Sequence, residues 1–187
     1  MRFRVRLGWA PLMILLLAWA GSATGEAERW IQELNIDKPR TRVAAPDFAL
    51  PGPEGEMRAL ERYEGDLILL NFWATWCKPC RDEMPALESL WQEYGDRGLT
   101  VIGVNVDRGG PDKVRAMAEK LGISFPVLLD PDGEVRNRYN VTAFPQTYLI
   151  GRDGRFLGKA LGEREWASRA GHELIRHFLK RSGGAKN

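Results

Sequence analysis

Two cysteines and two histidines are all that 187 residues contain of either type. A zinc site made from Cys and His alone would consume every one of them, so a metal centre starts with no material to spare. Charge of one sign is equally scarce. Lys and Arg total 27 against 25 Asp and Glu, and Arg2, Arg4 and Arg6 supply the excess, leaving the rest of the chain close to neutral. Without a basic surplus, nucleic-acid binding loses its electrostatic motive. No internal repeat is present, and the length suits one compact domain with a short appendage rather than a multi-domain assembly. With 44% hydrophobic, 10% aromatic and 28% charged residues, the composition is that of a globular protein able to bury a core.

The three arginines precede an apolar run from Trp9 to Ala20, and small residues follow at Gly21, Ser22 and Ala23. This is the layout of a secretory signal. Leu7 to Gly25 is also free of charge, close to the ~20 residues that a spanning helix needs. Residues 1–25 are therefore expected to be a signal peptide or a membrane anchor. In either case the basic flank stays in the cytoplasm and the remainder is sent outward, to a periplasmic or other extracytoplasmic location, soluble or held by this segment. The absence of cysteine there excludes lipoprotein anchoring.

Residues 26–42 read as a spacer: a short helix carrying Trp30, Ile31 and Leu34, then a polar stretch with Pro39. The domain is expected over 43–181. Phe48–Leu50 and Met57–Ala59 flank a Pro- and Gly-rich segment suited to a hairpin. Leu67–Trp73 and Leu99–Val106 are nearly continuous apolar runs, as strands covered on both faces require. Between them Cys80, Met84, Leu87, Leu90, Trp91 and Tyr94 recur at helical spacing up to Gly95. A second helical face (Val114, Met117, Ala118, Leu121), a strand at Phe125–Leu129 and a short helix at Val135–Tyr139 follow. Gln146–Ile150 and Arg155–Lys159 are joined by a Gly151–Gly154 hairpin signal. Trp166, Ala170, Leu174 and Phe178 predict a closing helix, and 182–187 a flexible tail. Strand, helix, strand, helix implies a parallel core whose last part is antiparallel.

Asn71-Phe-Trp-Ala-Thr-Trp-Cys-Lys-Pro-Cys80 places Cys77 between a buried strand and a helix. The unpaired N–H groups and positive dipole end of that helix favour a thiolate at Cys77, below the free value of ~8.5, and Lys78 adds positive charge. Cys80, one turn on, faces the core and can attack a mixed disulfide while shielded from solvent. Three blander readings compete. A structural disulfide across so short a loop would constrain the unfolded chain little. Half a zinc site would need His172 and His177, which are five residues apart and lie on the far helix. Haem attachment would need His where Arg81 stands.

Phe72-Trp-Ala-Thr-Trp-Cys-Lys-Pro-Cys-Arg-Asp-Glu-Met-Pro85 resembles the active-site signature of the thioredoxin superfamily, and specifically its exported TlpA/ResA-like branch. The similarity extends from Ala45-Pro-Asp-Phe-Ala-Leu50 through Asn105-Val-Asp107 to Phe144-Pro-Gln-Thr-Tyr-Leu-Ile150. It implies an α/β, thioredoxin-like fold: a mixed central sheet flanked by helices, an N-terminal β-hairpin and a central insertion at about Gly110 to Asn140. It also implies roles. Cys77 matches the attacking cysteine, Cys80 the resolving cysteine, and Pro145 the cis proline facing them. Phe144 would offer its backbone to an extended substrate, and Trp76 would form an aromatic rim beside Cys77. Lys78 and Pro79 would tune the thiol. Pro85 should kink the helix without ending it.

The sequence departs from ordinary thioredoxins at two positions: Asn71 stands where they keep a buried acid, and Gly103 where they keep a lysine. Glu83 matches instead the acid of ResA-like proteins, able to accept the proton of the resolving thiol; the bland alternative is a solvated helix glutamate. The resemblance therefore implies an exported thiol:disulfide oxidoreductase, a reductase of protein disulfides serving cytochrome c maturation or a related assembly task. Its partners would be a protein disulfide such as apocytochrome c and a membrane thiol electron donor. Beyond the redox-active Cys77–Cys80 pair no cofactor is implied, and no metal. The alternatives are a disulfide oxidase or isomerase, a non-enzymatic periplasmic metal-delivery or binding module, and a peroxiredoxin. The last needs Pro and Thr where Leu70 and Ala74 stand.

Overall fold

The computed structural model describes the backbone of residues 20–181 and the side chains of residues 25–180. Five strands form one mixed sheet: β3 (Leu67–Trp73), β4 (Leu99–Asn105), β5 (Val127–Leu129), β6 (Gln146–Ile150) and β7 (Phe156–Leu161). Their spatial order is β5-β4-β3-β6-β7, with a separate antiparallel hairpin of β1 (Ala49–Pro51) and β2 (Met57–Ala59). The fold is thus the α/β, thioredoxin-like arrangement that the motifs imply, and the 110–140 segment supplies α3 (Pro111–Lys120), the edge strand β5 and the short α4 (Glu134–Arg138).

Every residue of β3 is buried, because the strand lies mid-sheet with both faces covered. Alternation decides which face each joins. Leu67, Leu69 and Trp73 pack with α2 (Lys78–Tyr94), α5 (Arg169–Arg181) and α1 (Ala20–Glu33). Ile68, Leu70 and Phe72 pack on the other side with Tyr139, Tyr148 and Val104.

Topology places the site. β3 and β4 are parallel, with Trp73 level with Asn105, while β6 runs antiparallel to β3, with Gln146 level with Phe72. The C-terminal ends of β3 and β4 and the start of β6 therefore meet at one edge of the sheet.

The spacer expectation for 26–42 is corrected. α1 buries Ala27 and Ile31 and packs on α5, and Leu34 is buried in the turn just after it. Ile36 is buried too, so close to the sheet edge that a Cβ on Gly158 would lie 2.6 Å from Ile36 Cγ2. Asp37 and Lys159 exchange backbone hydrogen bonds of 2.8 and 2.9 Å, and Phe156 donates its N–H to Val43 at 3.0 Å. The physical reason is that β7 is an edge strand whose outward N–H and C=O groups need partners. The closing helix also differs, since α5 begins at Arg169 and Trp166 lies in the preceding turn, fully buried. Of the expected leader, residues 1–19 lie outside the described residues, as does the 182–187 tail. Among the described residues no helix is long and apolar enough to cross a membrane.

Candidate active site

Cys77 and Cys80 are joined by a disulfide, with Cα atoms 5.3 Å apart. Cys77 is the N-cap of α2: its Sγ accepts the Cys80 N–H at 3.3 Å. The sulfur thus occupies the position where a helix terminus stabilises negative charge. Pro79 sits in the first turn, where a missing N–H costs nothing. The two sulfurs are unequal, Cys77 keeping 6% exposure while Cys80 has none. Lys78 is exposed and ion-paired with Asp82 one turn on, so part of its charge is spent locally. α2 continues through Pro85 to Tyr94.

The loop ahead of Cys77 is held from both sides of one residue. Asp107, buried, accepts the Thr75 N–H at 3.1 Å, and Arg81 donates to the Thr75 carbonyl at 2.7 Å. Asp107 is itself fixed because its own N–H donates to Asn105 Oδ1 at 2.9 Å. The anchoring role of Asn105-Val-Asp107 depends on the sheet register, which sets Asn105 level with Trp73 and so brings Asp107 beside Thr75.

Glu83 is not a solvated helix residue, being only 2% exposed. Asn71 Nδ2 donates to its Oε1 at 2.7 Å, while the Arg164 N–H (3.2 Å) and the Trp166 indole N–H (3.3 Å) donate to its Oε2. Burial pushes its pKa up to about 7 against these three donors, which favour the ionised form, and Glu163 pushes the same way as burial. Asn71 also donates to Thr147 Oγ1 at 2.9 Å. The buried acid absent from the strand is therefore supplied by the helix. Trp166 and Thr147 were missed in the sequence: Trp166 because it looked like a helix-face residue, Thr147 because nothing local marks it.

Gly103 explains the missing lysine. A Cβ there would lie 3.1 Å from Trp73 Nε1 and 3.2 Å from Phe125, so two rings fill the space.

On the outer side, the Phe144–Pro145 peptide is cis. Trp76 is 63% exposed, and its ring meets that of Phe144 edge-on at 5.9 Å. Trp76, Phe144 and Pro145 are thus brought to the edge that carries Cys77. His172 and His177 are not: His172 Nδ1 faces Tyr94 and Glu93, and His177 packs on Trp30.

Residues 41–156 match the AhpC/TSA family model. The chain belongs to the AhpC/TSA family. It is 36% identical over 156 residues to the thiol-disulfide oxidoreductase ResA of Geobacillus thermodenitrificans (strain NG80-2), covering 83% of this chain and 87% of that one. It is 46% identical over 112 residues to the thioredoxin-like protein YneN of Bacillus subtilis (strain 168), covering 59% of this chain and 65% of that one. A crystal structure assigned as a thiol:disulfide interchange protein DsbE, from Chlorobium tepidum, superposes with a TM-score of 0.69 at 33% identity, covering 77% of this chain and 99% of that one. The chain is a thioredoxin-like, ResA-like enzyme, a thiol-disulfide oxidoreductase. Leu70 and Ala74, where the peroxiredoxin pattern named above needs Pro and Thr, are both fully buried.

Proposed function

We propose that this chain is an exported reductase of protein disulfides. The Cys77 thiolate attacks one sulfur of a substrate disulfide, forming a mixed disulfide and expelling the other sulfur as a thiolate. Cys80 then passes its proton to the Glu83 carboxylate and attacks the Cys77 sulfur. The substrate leaves with both sulfurs reduced, its two electrons drawn from the enzyme pair, which ends as the Cys77–Cys80 disulfide. A base with a pKa of about 7, set one turn beyond Cys80 on α2, is suited to that transfer near neutrality. Trp76, Phe144 and Pro145 would seat the substrate segment, and Lys78 and Pro79 would tune the Cys77 thiol.

The observation that carries this reading is the inequality of the two sulfurs: Cys77 is at the helix cap with residual access, and Cys80 is sealed beneath it. Export rests on the basic and apolar N-terminal pattern. In an oxidising compartment the spent enzyme needs electrons from a membrane thiol donor. Cytochrome c maturation, with apocytochrome c as substrate, follows from the ResA-like resemblance.

The test is trapping. Cys80→Ala should accumulate disulfide-linked adducts through Cys77, and Cys77→Ala should accumulate none. The wild-type potential should fall within about −120 to −270 mV. An inert disulfide with no adducts would favour a binding module, and adducts lacking haem-binding cysteine pairs would reject the cytochrome c assignment.

A further inference from the structure

The 110–140 segment takes no part in the exchange chemistry proposed above, yet it delivers one side chain to the substrate face. α4 is pinned there because the buried Asp130 carboxylate accepts the N–H groups of Val135 and Arg136, at 3.2 and 2.7 Å. The Arg136 guanidinium lies over the Phe144 ring, 5.9 Å from its centroid. Phe144 in turn meets the exposed Trp76, the neighbour of Cys77. A cation, Phe144 and Trp76 thus form one continuous row beside the reactive sulfur.

The charge on that row is unspent. Arg136 Nε is buried without a hydrogen-bond partner, and among the described residues the guanidinium joins no ion pair. Its neighbour Arg138 is engaged, donating to the Asp47 carbonyl. A guanidinium set over a ring with its Nε buried keeps its terminal N–H groups for an acceptor, and the planar group that matches this fork is a carboxylate. Arg136 is half-buried, which strengthens any pair formed there relative to one in open solvent.

We infer that Arg136 is a specificity residue that binds a carboxylate side chain of the polypeptide substrate, close in sequence to the cysteine that Cys77 attacks. This rests on the reading of Cys77 as the attacking thiol. It assigns the substrate class as acidic segments around the reactive cysteine, and it gives the insertion a task.

The test uses the reduced protein and extended peptides whose single cysteine is in mixed disulfide with thionitrobenzoate. The peptides differ only in carrying Glu, Gln or Lys at each of the two positions on either side of the cysteine. At one position or more, kcat/KM should be about tenfold higher for Glu than for Lys at low salt, and the ratio should shrink as salt rises. Arg136→Gln should bring that ratio close to one, Arg136→Glu should invert it, and Arg136→Lys should keep part of it. Because the readout is a ratio within one variant, a general loss of activity does not imitate it. A ratio near one in the wild type at every position, or a wild-type ratio surviving in Arg136→Gln, overturns the inference and leaves the Cys77 reading standing. Failure of the folded wild type to release thionitrobenzoate from any peptide overturns both.

Discussion

Asn71 Nδ2 donates to Glu83 Oε1 at 2.7 Å across the interior, joining strand β3 to helix α2. The amide stands where an ordinary thioredoxin holds its buried acid, and the acid comes from the facing helix. Asn71 Oδ1 has no partner.

The raised pKa has a consequence for stability. Glu83 titrates near 7 in the fold against 4.5 as the reference value. Its contribution is fully present below the unfolded pKa. Between the two values the unfolded chain releases its proton first, so stability should fall as pH rises through this window, by at most about 3 kcal/mol. Glu83→Gln should flatten that fall in urea denaturation of the oxidised protein between pH 4.5 and 8. An unchanged slope in the variant would place the effect elsewhere.

Trp166→Phe removes one of the donors that hold the Glu83 carboxylate ionised. The Glu83 pKa should therefore rise further above its wild-type value. The carboxyl resonance followed by NMR over pH reports this directly, and a downward or absent shift would contradict the role given to the indole.

Asp107→Ala leaves the Thr75 N–H buried without its acceptor. The expected cost is about 1–3 kcal/mol, with slower disulfide exchange because the loop before Cys77 loses one of its two anchors. Asp107→Asn, which keeps an acceptor oxygen, should fall between. Urea midpoints and exchange rates both equal to wild type would dismiss the clamp.

Gly103→Ala puts a methyl group 3.1 Å from Trp73 Nε1 and 3.2 Å from Phe125. It should destabilise by about 1–3 kcal/mol, and Gly103→Lys by more, so the thioredoxin lysine cannot simply be restored. A thermal midpoint that does not drop in either variant would refute the packing account.

Ile31→Ala separates a docked helix from a free spacer. Ile31 belongs to the main core cluster, so truncation should cost about 2–5 kcal/mol. A spacer residue would register no loss in the same denaturation experiment.

Much of the site was legible early. Cys77, Cys80, Phe144 and Pro145 sit in a contiguous signature and a second short motif, and the strand and helix around them announce themselves by continuous and 3.6-period apolar patterns. Glu83 could be named, but not its surroundings. Asn71 and Glu83 are twelve residues apart, Glu83 and Trp166 eighty-three. No periodicity encodes such pairings, and Trp166 fitted a helical repeat that the chain does not use.

The order of elements and the spacing of the sulfur pair are local properties, whereas the edge where chemistry gathers is set by the pairing of β3, β4 and β6. The local ones follow from spacing and apolar pattern, which act within a few turns or strand residues. The burial of Glu83, the two anchors on Thr75, the filled space beside Gly103, the docking of α1 and the placement of Arg136 over Phe144 are non-local. They arise only when separate elements exclude water together, because a carboxylate's proton affinity and a cation's pairing depend on which neighbours and how little solvent the packed fold leaves around them.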